Sequence, residues 1–431
     1  MNQAPGSSGT LPRLLYSALL QCLTPVYLLR VWWRGRKEPV YRLAMGERLG
    51  HYEGQAPRPG LLWVHAVSLG ETRAAAPLIK ALRDARPGLR LLLTHGTATG
   101  RAAGAELLQP GDVQVWLPFD TPGAVRRFLR RFKPSVGVLM ETEVWPNLLH
   151  EAQAAAVPLV LANARLSPRS FERGRRFRAL LRPAVQALTE VLAQSEGDAQ
   201  RLREAGAAGA KVAGNLKFDM TPPPALLDVG RSWRESLGRP VVLAASTREG
   251  EEVGLLAAWK HGDEPRPLLL IVPRHPQRFD AVADLVHDAG LRLVRRSSWV
   301  DHPPKAAREA DVWLGDSMGE MPLYYAASDI ALLGGSFAPF GGQNLIEAAA
   351  CGCPVVMGPH TFNFSEAARL AVGAGAALRV VNVNEGVSRA IALTRDGGLM
   401  AMSAKASAFA QAHRGAAAVV VRHVLALIAA R

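Results

Sequence analysis

From about residue 60 the chain alternates short, almost unbroken apolar runs with longer segments whose apolar residues recur at helical spacing. The runs are LLWVHAV (61–67), LRLLLTH (89–95), VQVWLPF (113–119), VGVLME (136–141), PLVLANA (158–164) and VLAQS (191–195). Such runs predict strands covered on both faces, as in parallel sheets. The intervening segments, AAAPLIKALRDA among them, carry the helical period. Repeated strand–helix alternation predicts a doubly wound α/β layer. At 221–230 the stretch TPPPALLDVG is Pro-rich and has no period, so it reads as a linker or its edge. Alternation then restarts with PVVLAAS (240–246), PLLLIVP (267–273), ADVWLG (310–315), IALLGGS (330–336) and PVVMGP (354–359). The pattern predicts two similar α/β domains with a cleft between them, and there is no short internal repeat.

The stretch LLYSALLQCLTPVYLLRVWW (14–33) has a different pattern: twenty residues with Arg30 as the one charge. That length suffices to span a bilayer. Ser17, Gln21, Thr24 and Pro25 interrupt it, so an uncleaved anchor, an interfacial helix and a buried helix all stand as readings. No Ala-x-Ala-like cleavage site follows, which weighs against a removable signal peptide. Arg34, Arg36 and Lys37 come next and place the carboxyl side in the cytoplasm.

Composition narrows the partners. A chain of 431 residues with 48% apolar and 20% charged residues fills two cores and is not disordered. A net charge of +14 calls for an anionic partner. Arg126, Arg127, Arg130 and Arg131 share one helical arc, and the segment 165–183 carries seven arginines against Glu172. Aromatic residues make up 6%, and no nucleic-acid motif accompanies the charge. Anionic lipid headgroups or a phosphorylated lipid fit better than nucleic acid. Cys22, Cys351 and Cys353 are too few and too isolated for a zinc site, and suit a reducing compartment.

In open α/β sheets ligands bind beyond the carboxyl ends of strands. The residues found there are Ser68 to Thr72, Glu141 to Glu143, Pro273 to Pro276, Asp316 to Glu320 and Gly334 to Ser336. Glu71 is either an acid favoured by a helix amino terminus or a general base. Glu141 and Glu143 would point to opposite faces if their strand continued, which argues against shared metal ligation. Lys217 is either a surface lysine or a cation facing the cleft. Arg274, stiffened by Pro273 and Pro276, suits a phosphate or carboxylate. Met318, Gly319 and Glu320 can offer main-chain groups to a base or ribose. In GGQNLIEAAACGCPV (341–355), Asn344 and Glu347 have the spacing of a capping box. The same spacing at a strand-end loop suits a ligand, so Glu347 carries two readings.

The blocks WVHAVSLGETRAAAPLIKAL, METEVWPNLL, NARLSPRS, GNLKFD, PRHPQRF, GDSMGEMPLYYAASDIALLGGS and GGQNLIEAAACGCPVVMGPHTFNF together resemble the 3-deoxy-D-manno-octulosonic acid (Kdo) transferases of lipid A assembly. They occur in that family's order and cover most of the chain from about residue 30. The resemblance implies a GT-B fold of two Rossmann-like domains facing a central cleft, preceded by a membrane-associated helix. It divides the chain into an anchor or interfacial helix (1–36), an acceptor domain (37–220) and a CMP-Kdo domain with the carboxyl-terminal helix (221–431). It implies inverting, metal-independent transfer of Kdo from CMP-Kdo to the lipid A precursor lipid IVA, without a cofactor. The setting would be the anionic, cytoplasmic face of the inner membrane, with no nucleic acid involved. By the same resemblance Glu71 is the general base, and Glu141 and Lys217 stabilise the transition state. Pro273, Arg274, Met318, Gly319, Glu320, Asn344, Leu345, Ile346 and Glu347 would form the CMP site, with Gly334, Gly335 and Ser336 also matching. A nucleotide-sugar epimerase, a heptosyltransferase and a non-enzymatic membrane scaffold are the competing classes.

Overall fold

Every apolar run becomes a strand of one of two parallel, seven-stranded sheets. The computed structural model describes residues 10–54, 59–262 and 264–430. The first sheet contains β1 (Leu62–His65), β2 (Leu91–His95), β3 (Val113–Trp116), β4 (Val136–Met140), β5 (Leu159–Ala164), β6 (Glu190–Ala193) and β7 (Lys211–Val212). The second contains β8 (Val241–Thr247), β9 (Leu268–Pro273), β10 (Leu293–Arg295), β11 (Val312–Leu314), β12 (Ile330–Leu333), β13 (Val355–Met357) and β14 (Ala377–Arg379). Three of these, β7, β10 and β14, escape the sequence pattern. They are two- or three-residue edge strands, and both residues of β7 are exposed, so no apolar run marks them.

The strand orders are β3-β2-β1-β4-β5-β6-β7 and β10-β11-β9-β8-β12-β13-β14. In the second order β11 also inserts between β9 and β10. The first order reverses between β1 and β4 and the second between β8 and β12. A crevice opens at the carboxyl ends of such a pair, because the adjoining crossovers leave toward opposite faces. Period-two alternation supplies both cores of the first sheet. Leu61 and Trp63 of the β1 segment pack with Phe128 and Leu161 on one face, whereas Leu62 and Val64 pack with Leu78 and Leu93 on the other.

The chain divides into two units, Met1–Asp219 with Arg414–Arg431, and Met220–His413. The carboxyl-terminal helix therefore corrects the expected 221–431 domain. Ala416, Val420 and Val424 of helix Ala416–Ala429 lie on one stripe, and all are buried in the first unit's core. The carboxylate of Asp219 accepts from the Gly415 and Ala417 backbone N–H groups, capping that helix.

The amino-terminal segment forms α1 (Thr10–Arg34), a 25-residue helix. The first nine residues of the expected 1–36 anchor lie outside the described residues. Toward the first unit α1 turns polar groups: the Tyr16 hydroxyl donates to Asp120 Oδ2 (3.0 Å) and the Ser17 hydroxyl to Asn147 Oδ1 (2.9 Å). Burial pushes the Asp120 carboxyl up to about 7, against the pull of donors from the Asn147 and Leu148 main chain and from Tyr16. Outward, α1 exposes Leu11, Leu14, Leu15, Leu19, Val26, Leu29, Trp32 and Trp33. This is the reverse of the polarity of a soluble surface helix.

Candidate functional site

Beyond β1 the chain turns at Ser68 into α2 (Leu69–Ala85). Ser68 is the N-cap, and its oxygen accepts from the Glu71 N–H at 3.4 Å. Glu71 reaches back: Oε1 accepts from the Ser68 hydroxyl (2.9 Å) and Oε2 from the Val67 N–H (2.8 Å). This is a reciprocal capping arrangement, and it holds both carboxylate oxygens in a fixed direction. Burial raises the Glu71 pKa above the ordinary carboxylate value. The Val67 and Ser68 donors oppose the rise, and the charges of Glu143 and Glu141 add to it.

Glu141 follows β4 on the far side of the crevice. Its φ is +60°, a left-handed conformation that costs a side-chain-bearing residue on the order of 1–3 kcal/mol. Its Oε1 lies 3.4 Å from Lys217 Nζ. The turn carrying Lys217 is set by a partly buried amide network. Asn163 Oδ1 accepts from the Leu216 N–H and Asn215 Oδ1 from the Lys217 N–H, both at 3.0 Å. Asn215 Nδ2 donates to Gln194 Oε1 (3.2 Å), and Gln194 Nε2 donates to the Asn163 carbonyl (2.9 Å). Asn163 itself is fully buried with φ +53°. Asn tolerates the left-handed region better than most residues, and Asn163 is one that sequence reasoning missed.

Glu143 accepts from the Trp145 indole, and its Oε2 lies 3.7 Å from His65 Nε2. The strand does not continue to Glu141 and Glu143: β4 ends at Met140 and the chain turns, so strand alternation does not set their directions. Both charges are felt at Glu71. The structure thus brings Glu71, Glu141 and Lys217 to one crevice of the first unit, with Glu143 beside them.

The basic runs separate into two kinds. Arg127 donates to the Leu49 carbonyl and Arg131 to those of Glu53 and Gly54, while Arg126 lies 3.8 Å from Glu151. Arg127 and Arg131 therefore staple the segment after residue 48, whereas Arg126 and Arg130 remain exposed. In the second run Arg169, Arg173, Arg175, Arg176 and Arg178 are exposed together with Phe177. Helix Pro168–Arg175 buries none of its residues.

In the second unit the carboxyl ends of β8 and β12 carry the loops. Ser246 has φ +56°. Glu251, a residue not singled out from the sequence, accepts from four main-chain N–H groups. These are Arg248 (2.9 Å), Gly335 (2.7 Å), Phe337 (3.2 Å) and Ala338 (3.3 Å). It binds the Gly334–Ser336 loop to the end of β8. An acid in a helix's first turn is a visible signal, but partners 84 to 87 residues away are not. The Gly342 N–H donates to the Gly335 carbonyl at 2.7 Å, extending the same fold to the loop before Asn344.

Pro273 is buried at the end of β9, and the Arg274 N–H donates to the Thr247 carbonyl at 2.9 Å. Met318 is exposed, and Gly319 takes φ +82°. The Glu320 carboxylate is already engaged, accepting from Arg296 Nη2 (3.0 Å) and, within its own turn, from the Tyr324 hydroxyl (3.2 Å) and the Ser317 hydroxyl. Asn344 is an N-cap, its Oδ1 accepting from the Ile346 N–H at 3.2 Å. The Leu345 and Ile346 side chains are in the core, so only their main chains are available to a ligand. Glu347 is half-buried in the first turn.

Gly334 shows how closely β8 and β12 approach. A Cβ there would stand 2.4 Å from the Ser246 carbonyl oxygen and 2.7 Å from that of Ala245. Main-chain atoms cannot yield as a flexible side chain can. Gly334→Ala is expected to destabilise this unit by about 1–3 kcal/mol, which thermal melts measure.

Two parallel seven-stranded sheets with helices on their faces and ligand loops at strand ends define the GT-B class. A glycosyltransferase from Rickettsia africae shares the fold at 13% identity and a TM-score of 0.54, over 86% of this chain and 98% of that one. A UDP-GlcNAc 2-epimerase from Neisseria meningitidis does so at 16% identity and 0.54, over 85% and 99%. Such likeness fixes the fold and leaves the reaction open. The family model of 3-deoxy-D-manno-octulosonic-acid transferase (kdotransferase) matches residues 44–220. The 3-deoxy-D-manno-octulosonic acid transferase of Bordetella pertussis is 48% identical over 417 residues, 93% of this chain and 96% of that protein. The chain belongs to the 3-deoxy-D-manno-octulosonic acid transferase family and is a glycosyltransferase.

Proposed function

We propose that the protein transfers Kdo from CMP-Kdo to lipid IVA, with inversion and without a metal, on an anionic membrane surface. The observation that carries this reading is the meeting of Glu71, Glu141 and Lys217 beyond β1 and β4. Glu71 removes a proton from a glucosamine hydroxyl of lipid IVA. That oxygen bonds to the anomeric C2 of Kdo, the C2–O bond to phosphate breaks, and CMP departs with the electron pair. Lys217, held by Glu141, supplies a cation on the acceptor unit. On the second unit Arg274 and the main-chain N–H groups of the strand-end loops receive the CMP phosphate, with Glu347 on the ribose hydroxyls. Glu320 acts by shaping the Met318–Gly319 turn. The apolar face of α1, with exposed Phe177 and its surrounding arginines, supports binding at an anionic lipid surface. Arg34, Arg36 and Lys37 support the cytoplasmic side of the inner membrane.

Nucleotide selectivity tests the donor. Calorimetry is expected to show CMP binding in preference to ADP and UDP. A preference for ADP would favour a heptosyltransferase, and one for UDP an epimerase-like site.

The pH profile tests the base. Glu71 works when ionised and its pKa is raised, chiefly by burial. Activity should therefore fall as pH drops through a value above the ordinary carboxylate range. Removing one repelling charge with Glu143→Gln should move this acid limb of kcat/KM to lower pH. An acid limb that stays in place would detach Glu143 from the base.

A further inference from the structure

A cavity of about 330 Å³ lies within the first unit, between α1 and the carboxyl ends of β1 to β3. Its apolar wall includes Leu20, Tyr27, Leu117, Phe119, Val125 and Leu148. Its size is that of a small-molecule site. Three observations indicate what fits. One wall is α1 itself, whose outer side exposes Leu15, Leu19, Val26 and Leu29, so a single helix separates the cavity from the apolar surface. Val67 also lines the cavity, and its N–H is the group that Glu71 Oε2 holds at 2.8 Å. The cavity thus adjoins the candidate base. Finally, Arg48, a residue 5% exposed, lines it, and its buried Nε and Nη2 have no hydrogen-bond partner. That guanidinium rests on the Trp116 ring, 4.1 Å from the centroid. Burial pulls its pKa down to about 10, which leaves it cationic at neutral pH.

Buried donors normally find acceptors; the aliphatic side chains of the wall offer none, and Asp120, the carboxylate in the lining, already accepts from Tyr16, Asn147 and Leu148. A chain that is apolar along its length and carries an ester or amide carbonyl at its head satisfies both features. We infer that the cavity takes one acyl chain of the acceptor lipid, with the acyl carbonyl accepting from Arg48. This rests on the lipid-acceptor reading above. Anchored there, the chain holds the sugar headgroup beside Glu71, so the cavity acts on acceptor affinity rather than on the chemical step.

Leu20→Trp, at a half-buried position on α1, fills the cavity, and Leu117→Trp does so from the opposite side. An unchanged melting temperature and unchanged CMP binding certify the fold of each variant. Two readouts follow. Cis-parinaric acid, a fluorescent fatty acid, should bind the wild type and lose binding in both variants. In the transfer assay, the KM for acylated acceptor should rise about tenfold or more, the scale of a methylene group in an apolar pocket. The kcat should hold, and turnover of the deacylated disaccharide bisphosphate should be unchanged. Probe binding that ignores the Trp side chains, or equal effects on acylated and deacylated acceptors, overturns the proposal. If the wild type binds the probe in this cavity yet transfers Kdo to no lipid, the lipid-acceptor reading fails and the fatty-chain site stands. If transfer is intact and both variants match the wild type, the cavity assignment alone fails.

Discussion

Glu71→Gln is expected to lose roughly 100- to 10,000-fold in kcat, the scale of general-base catalysis, while CMP-Kdo binds as in the wild type. Gln is the informative replacement because Glu71 holds a helix cap as well as the position of the proposed base. As the third residue of α2 it closes the turn with Ser68 and Val67. A glutamine carbonyl still accepts from one of those donors, so most of the local structure survives and the lost activity reports the missing proton acceptor. Melting temperature should move little, since the cost is that of part of a cap, about 1 kcal/mol. Transfer near the wild-type rate would remove Glu71 as the base and leave its capping role as the whole of its function.

The second large effect is expected at Lys217. Lys217→Met keeps the length of the side chain and removes the cation 3.4 Å from Glu141. The kcat should fall by roughly 100- to 1,000-fold, as for the loss of one electrostatic donor to a developing charge, with a much smaller change in KM. Both partners are partly exposed, so the ion pair contributes at most about 1 kcal/mol to stability. Glu141→Gln combined with Lys217→Met should cost less than the product of the single effects, because each single change already breaks the pair. Purely multiplicative losses would show that the two residues act separately.

Much of this was legible in the chain, and the exceptions have physical reasons. Buried parallel strands leave apolar runs with polar residues at their carboxyl ends, so Glu71, Glu141 and Arg274 could be found from pattern alone. Edge strands such as β7 need no apolar run and left no trace. The carboxyl-terminal helix reads as one more helix of the second domain. Only the stripe Ala416, Val420 and Val424, matched to a core built from segments 200 or more residues earlier, assigns it to the first unit. The α1 segment is apolar on most sides, and which side faces outward depends on Asp120 and Asn147, 104 and 130 residues away. Asn163 and Glu251 were missed for the same reason, since their main-chain partners come from distant segments. The capping-box spacing seen at Asn344 and Glu347 recurs at Ser68 and Glu71, where a helix-start signature and a candidate catalytic carboxylate coincide in one residue.

The most direct measurement is a product analysis by mass. Purified protein is incubated with CMP-Kdo and lipid IVA, and the lipid is weighed by mass spectrometry. The account predicts lipid IVA carrying added Kdo, released CMP in equal amount, and neither product with Glu71→Gln. Lipid IVA recovered unchanged beside intact CMP-Kdo would contradict it.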